Sequence, residues 1–257
     1  MNLSITNLAW NEEEENKVLD WIVDRGIKTL EIALTKQFGD WDSINKRKLI
    51  DYKTRIKERG LSVISLQSLF YNKDCNIFTN NLEFVEHFKK IMEYSSILEC
   101  KYLVFGSPKN KKRGDKNSNI CNDIFIETFS LLSEIDSEIY IGIENTPTCY
   151  GSDFLITYEQ TKDLVDKIDK NNVRFHIDTG CLSLSGSDYC KVFESLKHQA
   201  KSIHISSKNL QSVYEDNKIE NFISSHLSGY NGNVSLELLN LNFNDIKKNI
   251  NFVLSNM

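Results

Sequence analysis

The chain has 257 residues, of which 40% are hydrophobic and 26% are charged, so it is long enough to bury a large core. This length suits one barrel of eight strands and eight helices as well as it suits two smaller domains. The formal net charge is -5, and a net-acidic chain repels nucleic-acid phosphates at long range, which argues against a nucleic-acid enzyme.

Short apolar runs alternate with longer segments of helical periodicity along the whole chain. The runs predict eight strands, at 3–8, 29–34, 61–66, 102–105, 140–143, 173–177, 202–205 and 234–239. Predicted helices lie between them, at 12–25, 44–59, 118–136, 158–170, 187–198 and 216–226, with further apolar helical faces in 84–95 and 243–254. This alternation requires parallel strands with right-handed crossovers.

A closed (β/α)8 barrel is the simplest architecture for this element order, and we predict that residues 1–257 form a single α/β domain of this kind. An open doubly wound sheet is the competing architecture, but no GxGxxG follows any predicted strand. The sequence has no linker-like stretch. Its most polar segment, 109–119, follows the fourth strand directly and is interpreted as a long loop.

Four consecutive predicted strands deliver a metal-binding side chain at or near their carboxyl ends. These are Glu144 on the fifth strand, Asp178 on the sixth, His204 on the seventh and Glu237 on the eighth. Each lies among apolar neighbours, where an unpaired charge is costly, and a shared cation removes that cost. Three carboxylates and one imidazole suit Mn²⁺, Mg²⁺ or Co²⁺ best, with Zn²⁺ as an alternative.

Other polar residues fall on the same face or inside the barrel. His176 lies two residues before Asp178 and is predicted to pack one layer deeper, as a core residue. Glu31 either lines the barrel or hydrogen-bonds a substrate hydroxyl. Further candidates for substrate contact are Gln67, Ser107, Lys109, Trp41 and Lys208. Lys109 is the candidate for binding a phosphate, whereas Lys111 and Lys112 are interpreted as solvated surface.

The motifs LEIALTKQFGDW, GSPKN, IGIENTP, FHIDTG, SIHIS and VSLELL resemble the xylose isomerase-like barrel superfamily, and the resemblance covers nearly the whole chain. Within it, the chain most resembles the sugar phosphate isomerase/epimerase group, and its ligand spacing is similar to that of ketose 3-epimerases. The resemblance implies one metal bound by Glu144, Asp178, His204 and Glu237. It also implies that the two glutamates transfer protons through an enediolate.

Two positions depart from the epimerase pattern, because Cys181 and Leu210 stand where those enzymes have a substrate-contacting His and an Arg. The expected substrate is therefore a carbohydrate other than the free ketohexoses. Three alternatives stay open: a metal phosphodiesterase like endonuclease IV, a sugar lyase or dehydratase, and a sugar-binding barrel without activity.

The remaining features concern the compartment and the partners. Six cysteines occur without a CxxC pair, which predicts reduced thiols. The N-terminal residues do not have the pattern of a signal peptide, and no segment has the roughly 18 apolar residues that span a bilayer. These features predict a cytoplasmic protein without a membrane partner, and the negative charge argues against a nucleic-acid partner. The family resemblance implies a small carbohydrate substrate and is compatible with a homodimer.

Overall fold

In a computed structural model that describes residues 2–257, eight parallel strands close into a barrel in chain order, with the first strand paired to the last. This confirms the predicted barrel and all eight predicted strands. The strands are β1 (Asn2–Thr6), β2 (Thr29–Ala33), β3 (Ser62–Gln67), β4 (Tyr102–Phe105), β5 (Tyr140–Glu144), β6 (Val173–Asp178), β7 (Ser202–Ile205) and β8 (Asn233–Leu236).

Helices follow the strands and cover the outside of the barrel. They are α1 (Glu15–Asp24), α2 (Leu34–Phe38), α3 (Lys46–Glu58), α4 (Asn81–Ile97), α5 (Ser118–Ile135), α6 (Tyr158–Ile168), α7 (Thr179–Leu184), α8 (Tyr189–Leu196), α9 (Asn217–His226) and α10 (Phe243–Asn256). All the predicted helices are present. None of the helices in the described part of the chain is both long and apolar enough to cross a bilayer.

Two short helices, α2 and α7, were not predicted, and both start directly at the carboxyl end of a strand. Helix α7 begins because the carboxylate of Asp178 accepts a hydrogen bond from the backbone N–H of Cys181, which is a favourable N-cap. Its six residues, TGCLSL, are too few to display a helical period. Local capping chemistry, rather than periodicity, therefore determines this element.

The hydrophobic core between β4 and the helices is rich in aromatic rings. Phe70, Phe84, Phe88, Phe105 and Phe129 pack against one another with ring centroids 4.4 to 6.4 Å apart, several of them edge to face. Such pairs add to the stabilisation that comes from burying their area. The rings come from the loop after β3, from β4 and from helices α4 and α5, so this part of the core fastens those helices to the β3–β4 side of the barrel.

The inside of the barrel is polar and tightly filled. The hydroxyls of Ser4 and Ser235 are 2.5 Å apart, and the hydroxyl of Tyr102 is 3.3 Å from Nδ1 of His176. Gly142 makes room for Tyr102, because a Cβ at that position would lie 2.3 Å from the tyrosine oxygen. The interior is thus a packed hydrogen-bonding layer beneath the site, not a channel.

Candidate metal centre and substrate cavity

The four predicted metal ligands come together at the carboxyl end of the barrel. Donor atoms of Asp178, His204 and Glu237 all lie within 4.8 Å of one another, and so do donor atoms of Glu144, Asp178 and Cys181. Nδ1 of His204 is 3.2 Å from Oε2 of Glu237 and 3.5 Å from Oδ2 of Asp178. Asp178 belongs to both groups and therefore links Glu144 to Glu237.

Asp178 is the most firmly held of the four. It is buried, its Oδ1 accepts the backbone N–H of Cys181 at 2.5 Å, and the hydroxyl of Ser206 lies 2.9 Å from each carboxylate oxygen. The close approach of β7 depends on Gly180, because a Cβ there would lie 2.6 Å from the Ser206 hydroxyl. The carboxylate is therefore preorganised by both the helix N-terminus and the neighbouring strand.

Glu144 ends β5 and is held from two sides. The thiol of Cys181 donates to Oε1 of Glu144 at 3.0 Å, and the ammonium group of Lys111 donates to its backbone carbonyl at 2.8 Å. Burial and the nearby carboxylates hold the pKa of Cys181 well above its usual range, so its thiol keeps the proton that it donates. Gly106 borders this carboxylate closely, since a Cβ there would lie 3.1 Å from Oε2.

His204 is oriented from beneath by a residue on the opposite side of the barrel. Its Nε2 lies 2.7 Å from Oε1 of Glu31, and both side chains are buried. Oε2 of Glu31 in turn accepts hydrogen bonds from the hydroxyls of Ser65 and Ser235. A second carboxylate behind a histidine is the usual arrangement at metal sites, where it fixes the ring and leaves the other nitrogen for the metal.

The electrostatics of the cluster fit a divalent cation. Burial, together with the charge of Asp178, raises the pKa of Glu144 to about 8, and burial also raises the pKa of Glu237. Burial opposes a charge on His204, but the carboxylates of Glu31 and Glu237 raise its pKa well above its usual value. Within residues 2–257, neither ring nitrogen of His204 has a hydrogen bond of ordinary geometry. A cation at Nδ1 would compensate the charge of the crowded carboxylates and would give this nitrogen a well-aligned partner.

His176 packs beneath this cluster, as predicted for a core residue. It is fully buried, its ring lies edge-on to the ring of His204 at a centroid distance of 4.2 Å, and its Nδ1 faces Tyr102. Burial holds the pKa of His176 well below its usual value, so the ring is neutral. Its position supports the ring of His204 from the layer below.

A cavity of about 370 Å³ opens above the cluster, and Glu144, Asp178 and Glu237 line it. Two of the predicted substrate residues, Gln67 and Ser107, also line this cavity. Nε2 of Gln67 donates to the Thr6 hydroxyl at 2.5 Å, which fixes the amide.

The other predicted substrate residues lie elsewhere. Glu31 is completely buried beneath His204, too deep to meet a substrate hydroxyl. Lys109 is mostly exposed and pairs with the exposed carboxylate of Asp74 at 2.6 Å, outside the cavity. Trp41 lines a neighbouring cavity, and Lys208 lines a depression beyond Ser206 and Ser207.

The interpretation of Lys111 as solvated surface is wrong. Its side chain is completely buried, with the ammonium group bound to Glu144 and 5.7 Å from the centroid of the Phe105 ring. The loop turns inward because the Asn110 amide donates to the carbonyls of Lys73 and Cys75 at 2.8 and 2.7 Å. In the sequence KNKKR nothing separates this lysine from its exposed neighbours, so no sequence signal identified it.

Comparison with known proteins agrees with this architecture. The sequence matches the family described as xylose isomerase-like TIM barrel over residues 19–249. No curated protein sequence matches the chain.

Similar solved structures include AP endonuclease, family 2, from Brucella melitensis, with 15% identity, 96% of each chain covered and a TM-score of 0.78. D-psicose 3-epimerase from Clostridium cellulolyticum H10 has 13% identity over 96% of this chain and 90% of its own, with a TM-score of 0.76. A sugar phosphate isomerase/epimerase from Parabacteroides distasonis has 17% identity over 98% and 92%, with a TM-score of 0.72. At these identities the likeness establishes the fold.

Proposed function

Because the chain belongs to the xylose isomerase-like TIM barrel family, we propose that it is a divalent-metal-dependent isomerase or epimerase of a sugar, sugar phosphate or related carbohydrate. The metal ligands in this proposal are Glu144, Asp178, His204 and Glu237, and the preferred ions are Mn²⁺, Mg²⁺ and Co²⁺, with Zn²⁺ as an alternative. The observation that carries the proposal is the convergence of three carboxylates and the imidazole of His204 at the mouth of the barrel.

The names of the structural neighbours support the same class of reaction, since they include a D-psicose 3-epimerase and a sugar phosphate isomerase/epimerase. The cavity supports it independently. Its volume of about 370 Å³ is at the small end of the usual range for ligand sites, roughly 300 to 1,000 Å³, and suits a monosaccharide unit.

The proposed mechanism assigns proton transfer to the two glutamates. A bound cation would supply the positive charge that polarises a substrate carbonyl and stabilises negative charge developing on its oxygen. In this proposal, Glu144 and Glu237 approach the substrate from opposite faces. One would remove the proton from the carbon beside the carbonyl, and the other would return a proton, which inverts that centre or relocates the carbonyl.

The roles of the surrounding residues follow from their contacts. The Cys181 thiol and the Lys111 ammonium group hold Glu144 in place, and Glu31 holds the ring of His204. Gln67 and Ser107 are the polar cavity residues that we assign to substrate hydroxyls.

The test combines metal analysis with isotope exchange. Wild-type protein should contain about one metal ion per chain, and Asp178→Asn should contain little. Solvent deuterium should enter a carbon-bound position of at least one member of a panel of ketoses, aldoses, their phosphates and reducing disaccharides. Absence of metal from both proteins after addition of Mn²⁺ or Co²⁺ would overturn the proposal. Bound metal without deuterium exchange would be consistent with a hydride shift, a lyase or an inactive sugar-binding barrel. Release of water from a substrate would then identify the lyase.

A metal phosphodiesterase is the second candidate, favoured by the likeness to an AP endonuclease. The net charge of -5 and the burial of Lys111, which removes one cation from the basic loop, count against it. Duplex DNA binding that weakens steeply with salt, together with cleavage at an abasic site, would establish this candidate instead.

A further inference from the structure

A second cavity, of about 620 Å³, lies beside the cavity over the metal ligands. Loops that follow β1, β2, β3 and β8 form it, with Leu8, Thr35 and Trp41 among the lining residues. Ser68 and Leu239 line both cavities. The two cavities are therefore neighbours that share these two residues, one over the metal ligands and the other over the carboxyl ends of the first three strands.

The sizes of the two cavities point to a ligand with two units. The cavity over the metal ligands holds a monosaccharide, as argued above, and the cavity beyond Ser68 is the larger of the two. A free monosaccharide would leave this larger cavity filled with solvent. A ligand that contacts both cavities must extend from the reacting sugar past Ser68 and Leu239.

The lining of the second cavity suits a neutral group that carries many hydroxyls. Its charged residues balance, since Lys36 and Lys73 stand with Asp40 and Asp42. Lysines without opposing carboxylates would be expected around a phosphate. A balanced set of ammonium and carboxylate groups instead offers donors and acceptors to hydroxyls.

The uncharged residues of this cavity complete the same pattern. Thr35, Asn72 and Asn240 add a hydroxyl and two amides, while Leu8 and Leu239 supply apolar surface for the faces of a ring. An apolar surface with a few placed polar groups is the usual composition of a small-molecule site.

The second cavity is preformed rather than a loose gap between loops. The indole N–H of Trp41 donates to the carbonyl of Tyr71 at 2.7 Å, and the Trp41 ring packs edge-on against His87 at a centroid distance of 4.5 Å. Ser68 and Asn240 have φ of 54° and 50°, conformations that non-glycine residues adopt at a cost and that cluster at functional sites.

We propose that the second cavity is a subsite for a second sugar ring, so that the substrate is a neutral disaccharide or similar glycoside rather than a free or phosphorylated monosaccharide. The reacting sugar lies over the metal ligands, and the glycosidic link passes between Ser68 and Leu239. This inference rests on the proposed function in one respect, which is the assignment of the reacting end of the ligand to the metal ligands.

Binding, rather than turnover, tests the subsite. The full-length protein loaded with Mn²⁺ is titrated with glucose, galactose and fructose, with maltose, cellobiose, lactose and sucrose, and with glucose 6-phosphate and fructose 6-phosphate. We expect at least one disaccharide to bind about tenfold or more tightly than its component monosaccharides, because a second ring adds several hydrogen bonds. Thr35→Trp, which fills the second cavity, should reduce this preference to less than about twofold.

Two further variants serve as a control and as a replacement for Thr35→Trp. Thr35→Ser keeps the cavity open at the same position and should retain the preference. Asp42→Trp fills the cavity from the exposed rim and replaces Thr35→Trp if that protein fails to fold.

The proposal is overturned if no disaccharide binds more tightly than its monosaccharides, or if the preference survives both filling variants. Tightest binding of a sugar phosphate, lost on filling the cavity, also overturns it, because the subsite would then be anionic. A disaccharide preference in a protein that binds no metal would refute the proposed function and leave the subsite intact. Metal binding and deuterium exchange without a disaccharide preference would refute the subsite and leave the proposed function intact.

Discussion

The two halves of the barrel contribute to the site in different ways. Strands β5 to β8 each carry one proposed metal ligand, Glu144, Asp178, His204 or Glu237, at or just beyond the carboxyl end. Strands β1 to β4 carry no member of this set. Their contribution is Glu31 on β2, which reaches His204 from below, Gln67 on β3 and Ser107 after β4, which line the cavity over the cluster, and most of the loops that build the second cavity.

We assign the chemistry to the half with β5 to β8 and the positioning of its groups to the half with β1 to β4. The ligand-bearing half concentrates negative charge, which raises the pKa of Glu144 to about 8 by burial and by the charge of Asp178. In this proposal, the other half orients these groups and forms the cavity that selects the ligand. If this division is right, substitutions in the ligand-bearing half should abolish metal-dependent activity, and substitutions in the other half should weaken it or change its preference.

The largest effect is expected for Asp178→Asn. Asparagine still caps α7, because its side-chain oxygen can accept the Cys181 N–H, but it removes one negative charge from the metal site. We expect loss of bound metal and a fall in kcat/KM of about a thousandfold or more, with little change in thermal stability. Metal analysis and thermal unfolding measure the two quantities. Wild-type metal content in this variant would remove Asp178 from the ligand set.

Glu144→Gln and Glu237→Gln test the proton-transfer pair. Each should lower the rate of deuterium incorporation by about a hundredfold to ten-thousandfold, because the amide cannot accept a proton. Each should also weaken metal binding. Exchange measured at saturating Mn²⁺ separates the two effects, and exchange at the wild-type rate in either variant would exclude that glutamate from proton transfer.

Glu31→Gln tests the contribution of the opposite half. Metal affinity should fall by about tenfold to a hundredfold, because the ring of His204 loses the carboxylate that orients it. Metal should still bind at high concentration, unlike in Asp178→Asn. Titration with Mn²⁺ measures the shift. An unchanged affinity would mean that β2 has no part in positioning the imidazole.

The pair Lys111→Met and Lys109→Ala should show the smallest effects and the sharpest contrast. Lys111→Met leaves the Glu144 carbonyl without its buried donor, which should cost about 1 to 3 kcal/mol of folding free energy. Lys109→Ala breaks only an exposed ion pair and should leave stability and kcat/KM within about twofold of wild type. Denaturant unfolding and steady-state kinetics on both variants check this. Equal effects would contradict the assigned burial of Lys111.

The sequence by itself determined the barrel and identified the four residues of the proposed ligand set. Apolar runs with helical segments between them specify parallel strands, and parallel strands place all their carboxyl ends at one rim. Glu144, Asp178, His204 and Glu237 are recognisable because a polar residue at the end of an apolar run stands out against its neighbours. No long-range contact is needed to find them.

The tertiary structure decided which other residues belong to the site. Lys109 and Lys111 are two positions apart and look alike in the sequence, yet the Asn110 contacts with the β3 loop bury one and expose the other. Glu31 meets His204 only because closure of the barrel brings β2 and β7 face to face across its interior. Such contacts depend on loop paths and ring closure between residues far apart in the chain, and local periodicity carries no information about them.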